Sequence, residues 1–582
     1  MTIIKDVGKV AASRRPGRKA QAILQPPNPA ALGGLTSLLW PPDSNREAVK
    51  LGSATIADLA LDRIVQVLNV TGRHEWALKN TLCSLCTDPA VISYRQDVLE
   101  DLDRSPELAA SLRATLPDLA ALTRRGGPGW PGDSPVLAVA SRLEELDRFV
   151  VCLDRVCAAL GGASGLRSLG LLNLRNDLEK IASDPEVAAL RAQLPELHAL
   201  IGDARSVTIG VNLGPDLRPE SATIVDLHRE PFKGARSLVG RLLPIGTTDG
   251  YHGRTPLHQT GPASLRKEGR LYEDLQGLIE AAAAPLEQAL KRFQEIKVGP
   301  LAGLEGELVF FTGAVGLLDR LRRAGLAVCR PAIAPRAERT FEVRDAANGT
   351  LALQTTEPGQ GASADPPVVT SDVFQAAESR VLVLTGPNRG GKTTFCRAIG
   401  QAQVLFQAGL FVPGSSARIS PVSGVWTHFP LSEVDQPGSG RLDDEMRRLR
   451  RMFDEADSDS LILMNEPLTS TSERDALTIA RDLVRGLQLL GARVLLVTHL
   501  HQLAYIIPEL NETGPKDCGV RSLVAGAVEA DGVVRGTYKI APGLPAGASH
   551  ASEIARQHGL TFEQLRRRLT ASRAADPSQP FE

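Results

Sequence analysis

Long apolar runs are missing from this sequence. No stretch approaches the roughly 18 consecutive apolar residues that a membrane-spanning helix needs, and the first residues hold no apolar signal core. Both absences predict a cytoplasmic chain with no membrane partner. Cysteine is scarce, and Cys83, Cys86, Cys152, Cys157, Cys329, Cys396 and Cys518 are an odd number that suits a reducing compartment and not a disulfide scaffold. Cys83-x-x-Cys86 and the Cys152/Cys157 pair fall in helical patterns without a histidine cluster, so buried core thiols are expected there instead of zinc ligands. Aromatic residues make up only 4%, and the first Phe is Phe149. Net charge is almost absent as well, with 66 Lys+Arg against 67 Asp+Glu. That excludes a chain that is basic throughout and leaves local concentrations of charge open.

Lysine is rare among the basic residues, 13 against 53 Arg. A lysine that persists in such a chain marks a place where a compact ammonium does what a guanidinium does not.

What is present divides the chain. Residues 1–45 read as a flexible basic arm, with Lys5, Lys9, Arg14, Arg15, Arg18 and Lys19 against Asp6 in the first 20. Residues 46–205 carry helical periodicity, broken by a loop at Arg124 to Pro135. Residues 206–262 change to β-branched alternation and then Gly- and Thr-rich sequence, a strand-rich insertion. Helix returns over 263–338. Thr340 to Thr355 predicts two strands around Asn348-Gly349, and strands then alternate with helices through a domain spanning 339–570, leaving 571–582 as a tail. The expected fold class is multidomain, mainly α-helical with a strand-rich insertion, followed by an α/β domain with a parallel sheet.

The strongest local signal is Val381-Leu-Val-Leu384 running into TGPNRGGKTTF, which holds G-x-x-x-x-G-K-T from Gly386 to Thr393 ahead of an apolar helical pattern. Glycines let backbone N–H groups turn toward phosphate oxygens, and the helix N-terminus adds its positive end. Lys392, the only lysine between Lys297 and Lys516, would reach the β- and γ-phosphates of ATP, and the Thr393 hydroxyl would ligate Mg2+. A second apolar strand, Leu461 to Met464, ends in Asn465-Glu466, where a nucleoside triphosphatase places its metal-side residue and general base. A third, Val494 to Val497, ends at Thr498-His499, within reach of a γ-phosphate or attacking water.

Taken together, these segments resemble the MutS family of the ABC superfamily. TGPNRGGKTTF is similar to the family's TGPNMGGKST, GSGRLDDEM to its signature turn and helix, LILMNEPLTSTSERDA to its Walker B segment, LLVTHLHQLA to its switch histidine and SHASEIARQHGLT to the approach to its dimerising helices. The resemblance covers about 200 residues and extends more weakly upstream through DPAVISYRQDVLEDL and VTIGVNLGPDL, over 54 to 340. It implies a mainly α-helical core and lever (46–205 and 263–338) with a strand-rich clamp-like insertion (206–262), followed by an α/β P-loop ATPase domain of ABC type. It also implies a homodimer through that ATPase domain with ATP sites at the interface and arms around DNA. Carried over by position, Gly386, Pro387, Asn388, Arg389, Gly390, Gly391, Lys392, Thr393 and Thr394 would hold the triphosphate. Ser439 and Gly440 would complete the partner's site, Thr393 and Asn465 would face Mg2+, Glu466 would activate water and His499 would sense the γ-phosphate.

Three departures bear on activity. Asn465 stands where the family has Asp, Leu442-Asp443-Asp444 follows the SGR turn where it has small hydroxyl residues, and Val368 stands at the place of an adenine-stacking aromatic. Slower hydrolysis or weaker metal retention is expected. Mismatch-sensing members insert a Phe-x-Glu wedge from an added N-terminal domain, which needs an aromatic early in the chain. Phe293-Gln294-Glu295 has that wording, but on an amphipathic helix, as a core Phe beside solvated charges. A member without the mismatch-recognition domain and without a C-terminal Smr domain is expected.

DNA contacts are expected where charge concentrates. From His228 to Arg270, eight basic residues (Arg229, Lys233, Arg236, Arg241, Arg254, Arg266, Lys267 and Arg270) face three acids. The chain is therefore expected to be an ATP-switched clamp on double-stranded or branched DNA, nucleoid-associated, working with repair or recombination proteins. The alternative is a weakly active, nucleotide-gated scaffold for such partners, suggested by Asn465 and Asp443-Asp444. A transporter ATPase subunit fits poorly with so much helix ahead of the phosphate loop.

Overall fold

The structure, a computed structural model, describes residues 34–123, 135–201, 206–213, 215, 219–228, 286–355, 368–376, 379–430, 441–530, 533–545 and 558–575. Two compact units are present, one taking in Leu38–Arg104 and Val309–Glu582, the other Asn28–Ser37 and Ser105–Leu308.

The first unit begins with a small antiparallel pair, β1 (Ala48–Lys50) with β2 (Ser84–Cys86). Between them lie α1 (Ser53–Asp58), α2 (Leu61–Leu68) and α3 (Glu75–Leu82), and α4 (Pro89–Arg104) follows. In α2 the apolar residues Leu61, Ile64, Val65 and Leu68 recur at helical spacing and all four are buried. The helical pattern expected around Cys83-x-x-Cys86 is corrected here: Cys83 caps α3 and Cys86 ends β2, because the pairing with Ala48 is non-local.

In the second unit, α5 (Pro106–Thr123), α6 (Pro135–Gly161), α7 (Leu169–Ala182) and α8 (Pro185–Ile201) lead to a hairpin of β3 (Ser206–Leu213) and β4 (Pro219–His228). Arg191 ties α8 to Asp154 of α6 at 2.6 Å, and Arg155 of α6 pairs with Asp118 of α5. The alternation read in SVTIGVNL and SATIVDL is thus an antiparallel ladder, bulged between Thr208 and Ile209. Phe293 is fully buried as expected of a core residue, but it sits in a turn at 292–295 and not on a continuous helix. Arg142 secures that turn by donating to the carbonyls of Phe293 and Ile296 at 3.2 and 2.9 Å. Helix resumes as α9 (Gly299–Arg323), the one helix among the described residues long and apolar enough to cross a membrane, with 78% of its most apolar window buried inside the protein.

The rest of the first unit carries two sheets. After β5 (Val328–Cys329) and β6 (Ala332–Ile333) comes β7 (Phe341–Ala346), then α10 (Gly349–Thr355), β8 (Ser371–Gln375), β9 (Val381–Thr385) and α11 (Lys392–Gln407). Next are β10 (Val412–Pro413), β11 (Ser416–Ile419), β12 (Val425–His428), α12 (Arg441–Glu455), β13 (Leu461–Asn465), α13 (Glu473–Leu490) and β14 (Arg493–Val497). The chain closes with α14 (His501–Tyr505), α15 (Ile507–Thr513), β15 (Val520–Ala530), β16 (Val533–Pro542) and α16 (Phe562–Ala575). Strands β12-β13-β14-β9-β15-β16 form the main sheet, parallel except for β16, and β6-β11-β7-β8 form a mixed second one.

The hairpin expected around Asn348-Gly349 is not formed. Asn348 Oδ1 accepts from the Leu351 N–H at 2.9 Å and from the Thr350 hydroxyl at 2.8 Å, so it opens α10 in the manner of a helix cap. The fully buried β9, β13 and β14 are continuous apolar runs, as parallel strands covered on both faces require. Apolar residues of α12 and α13, among them Leu449, Met452, Ala480 and Val484, close one face. Helix α11 is fixed by buried amides: Gln401 donates to Leu59 O at 2.9 Å, and Gln407 donates to Cys86 O and Val422 O at 2.9 and 3.0 Å. At the opposite end of the sheet from the phosphate loop, fully buried Arg493 donates to Thr340 O at 2.7 Å and Ser420 O at 3.0 Å, joining the two sheets.

Candidate functional site

Strand β9 lies between β14 and β15, and its C-terminal end opens into the turn that starts α11. That is the crevice at the carboxyl ends of parallel strands where ligands of open α/β sheets bind. Gly386 has φ +130°, and a Cβ there would come 2.8 Å from Ala525 Cβ. Gly391 caps α11 at φ +85°. Both positions need glycine, the first for space and the second for its left-handed backbone.

Beside this turn is a cavity of about 400 Å³. The phosphate loop contributes Arg389 to Thr394, the first turns of α11 contribute Phe395 and Ala398, and Glu466 stands at one wall. The remaining wall is largely apolar, with Ala346, Ala347, Leu351, Val368 and Val369 beside Asn348 and Ser371, and Tyr538 of β16 closes it.

Lys392 is buried, and its Nζ donates to Gly386 O at 2.9 Å and Pro387 O at 3.1 Å. Glu466 Oε1 is 3.7 Å from the same nitrogen. Burial holds the Lys392 pKa below its ordinary value, while the Glu466 charge works to raise it. The Thr393 hydroxyl donates to Asn465 Oδ1 at 3.0 Å. These two neutral oxygens suit a divalent cation that keeps waters and takes its charged donors from substrate phosphates. Among the described residues no group of three or more His, Cys, Asp or Glu gathers as a metal site.

The structure therefore brings Lys392, Thr393, Asn465 and Glu466 together. His499 follows β14 on the same side of the sheet, is exposed and is not among the residues lining the cavity. Asn388 and Arg389 are exposed on the loop, Arg389 with φ +61°. Val368 lines the apolar wall of the cavity. Asp443 and Asp444 lie in the first turn of α12, where the helix dipole favours acids, and both pair with Arg447. Ser439 and Gly440 lie outside the described residues, as do residues 1–33 of the expected basic arm, the loop at 124–134 and Arg229, Lys233, Arg236, Arg241, Arg254, Arg266, Lys267 and Arg270. Residues 34–45, expected to be part of that arm, are instead placed with Leu38, Leu39 and Trp40 buried. Sequence reasoning missed Tyr538, on β16, and Asn348, just ahead of α10, which reach the site from distant parts of the chain and carry no local motif. Asn348 Nδ2 donates to Thr394 O at 3.2 Å, linking α10 to the phosphate loop.

Residues 382–565 match the family model for MutS domain V, and residues 87–324 match that for the MutS2 N-terminal domain. The chain belongs to the MutS family. The domain V match takes in the phosphate loop, Asn465-Glu466 and His499. Similar relatives include an "Endonuclease MutS2" of Thermomicrobium roseum, 33% identical over 34% of this chain and 24% of that protein. A "DNA mismatch repair protein MutS" of Chloroflexus aurantiacus is 31% identical over 43% of this chain and 26% of its own. The MutS of Microcystis aeruginosa aligns more widely, 25% identical over 76% of this chain and 51% of its own length. The chain thus spans between a quarter and a half of these MutS-family relatives.

Proposed function

We propose that the chain is an ATP-hydrolysing DNA-repair protein of the MutS family, a homodimeric clamp on double-stranded or branched DNA that ATP binding and hydrolysis switch. The observation that carries this reading is the convergence of Lys392, Thr393, Asn465 and Glu466 at the carboxyl ends of β9 and β13, beside a cavity large enough for a nucleotide. The family match and the names of the relatives supply the repair context. Residues 339–570 would be the motor, with a helical core and lever at 46–205 and 263–338 and the clamp at 206–262.

In this site the apolar wall and Tyr538 take the base, and the loop N–H groups with Lys392 take the phosphates. Lys392 would exchange the Gly386 and Pro387 carbonyls for phosphate oxygens and so regain a full counter-charge. Glu466 accepts a proton from water as the water oxygen bonds to the γ-phosphorus and the bridging P–O bond to ADP breaks. Mg2+, held by Thr393 and Asn465, would supply charge neutralisation at the phosphates. Ser439 and Gly440 of the second subunit would complete the site, with His499 beside the γ-phosphate. Hydrolysis would be slow, because Asn465 brings no charge. DNA would be held by the basic cluster from Arg229 to Arg270 and need not be read for mismatches. The test is ATP turnover with and without DNA: DNA-stimulated phosphate release supports the enzyme, and binding without turnover supports the gated scaffold.

A further inference from the structure

The turn that carries Glu466 is not supported by its own sequence. Glu466 and Leu468 have φ of +50° and +67°, left-handed conformations that non-glycine residues adopt only when something outside the turn holds them. One support is the Glu466 N–H, which donates to Val497 O at 2.8 Å. The other comes from α12. Glu445 Oε1 accepts from the Leu468 N–H at 2.8 Å, and Oε2 accepts from the Ser470 hydroxyl at 3.3 Å. The same carboxylate is 3.1 Å from Nε2 of His428, the last residue of β12, whose register partner is Met464 of β13. Glu445 and His428 are both buried, so the contact is shielded from solvent. Burial works to raise the Glu445 pKa, but the His428 contact and the Leu468 N–H outweigh it and hold the carboxyl below its ordinary value.

Glu445 stands four positions after Arg441, the first residue of α12, and so lies one turn into that helix. One carboxylate therefore connects α12 with the turn that aims Glu466. We propose that Glu445 is a positioning residue through which α12 holds this turn, so that the placement of α12 sets the orientation of Glu466. The proposal rests on the hydrolytic reading given above, and it goes further in assigning a residue that touches neither nucleotide nor water.

A matched pair of substitutions separates reach from charge. Glu445→Gln keeps the oxygen that Leu468 and His428 use and loses the charge. Glu445→Asp keeps the charge beside His428 and withdraws the oxygen from Leu468 by one methylene. Both are made in the full chain and compared by ATP turnover, by titration with a fluorescent ADP analogue and by hydrogen exchange at the 466–470 turn. Glu445→Gln should stay within about threefold of the unsubstituted kcat, and Glu445→Asp should fall by roughly 10- to 100-fold with nucleotide affinity unchanged. Exchange of the turn should quicken in Glu445→Asp alone. The reverse order, or two variants alike in turnover and exchange, would overturn the proposal. Should the unsubstituted chain hydrolyse no ATP, the hydrolytic reading fails, and the order of exchange rates still decides whether Glu445 holds the turn.

Discussion

The Thr393 hydroxyl donates to Asn465 Oδ1 at 3.0 Å, so the first residue pair of the phosphate loop and the end of β13 is closed by two uncharged groups. A carboxylate would accept the same hydrogen bond and add a charge. Asn465→Asp should therefore lower the Mg2+ concentration for half-maximal turnover by roughly tenfold, equivalent to about 1.4 kcal/mol. A Mg2+ titration of ATP hydrolysis checks this. An unchanged or raised midpoint would show that position 465 does not face the metal.

Lys392 predicts a pH dependence whose sign follows from its burial. Its native pKa lies below the ordinary 10.5 of the unfolded chain. Between the lowered value and 10.5 the unfolded chain binds more protons, so stability rises with pH through that window. Below the lowered value the full cost of the buried ammonium is present. Urea unfolding at several alkaline pH values should show this rise relative to Lys392→Met, and parallel curves would contradict it. Nucleotide phosphates favour the charged form, so ATP binding in the same window should take up protons, visible by calorimetry in buffers of different ionisation heat.

Arg493 makes a structural prediction independent of nucleotide. Its fully buried guanidinium, pushed down to about 9 by burial, bridges the carbonyls of Thr340 and Ser420 between two sheets. Arg493→Leu should cost roughly 3 kcal/mol, through two lost hydrogen bonds and a poorly filled space. Denaturant midpoints measure this, and a change below about 1 kcal/mol would contradict it.

The cysteines should be quiet in the native state. Cys83, Cys86, Cys152, Cys396 and Cys518 are buried, and burial pushes Cys83 and Cys152 up to about 12. A thiol-reactive dye near neutral pH should label Cys157 and Cys329 first, and all seven only in denaturant. Rapid native labelling of Cys83 or Cys86, mapped by mass spectrometry, would contradict the buried placement.

What the sequence made legible was local. The phosphate loop announces itself because the demands on Gly386 and Gly391 are met within a few residues, and β13 and β14 because buried parallel strands are continuously apolar. Asn348-Gly349 misled because an Asn side chain that bonds forward to the backbone serves a helix start as well as a turn. Cys86 joined a strand instead of a helix through a partner 38 positions away, Ala48. Tyr538 and the Glu445–His428 contact were hidden for the same reason: each depends on which strands become neighbours, and no local spacing encodes that.

The most direct test of ATP-switched DNA binding is a salt-titrated comparison of homoduplex, mismatched, four-way-junction and single-stranded DNA, with and without ATP, for the unsubstituted chain and Lys392→Ala. The account predicts that ATP shifts the affinity of the unsubstituted chain for duplex or branched DNA and leaves Lys392→Ala unmoved. The same shift in both proteins, or no DNA binding in either, would contradict it.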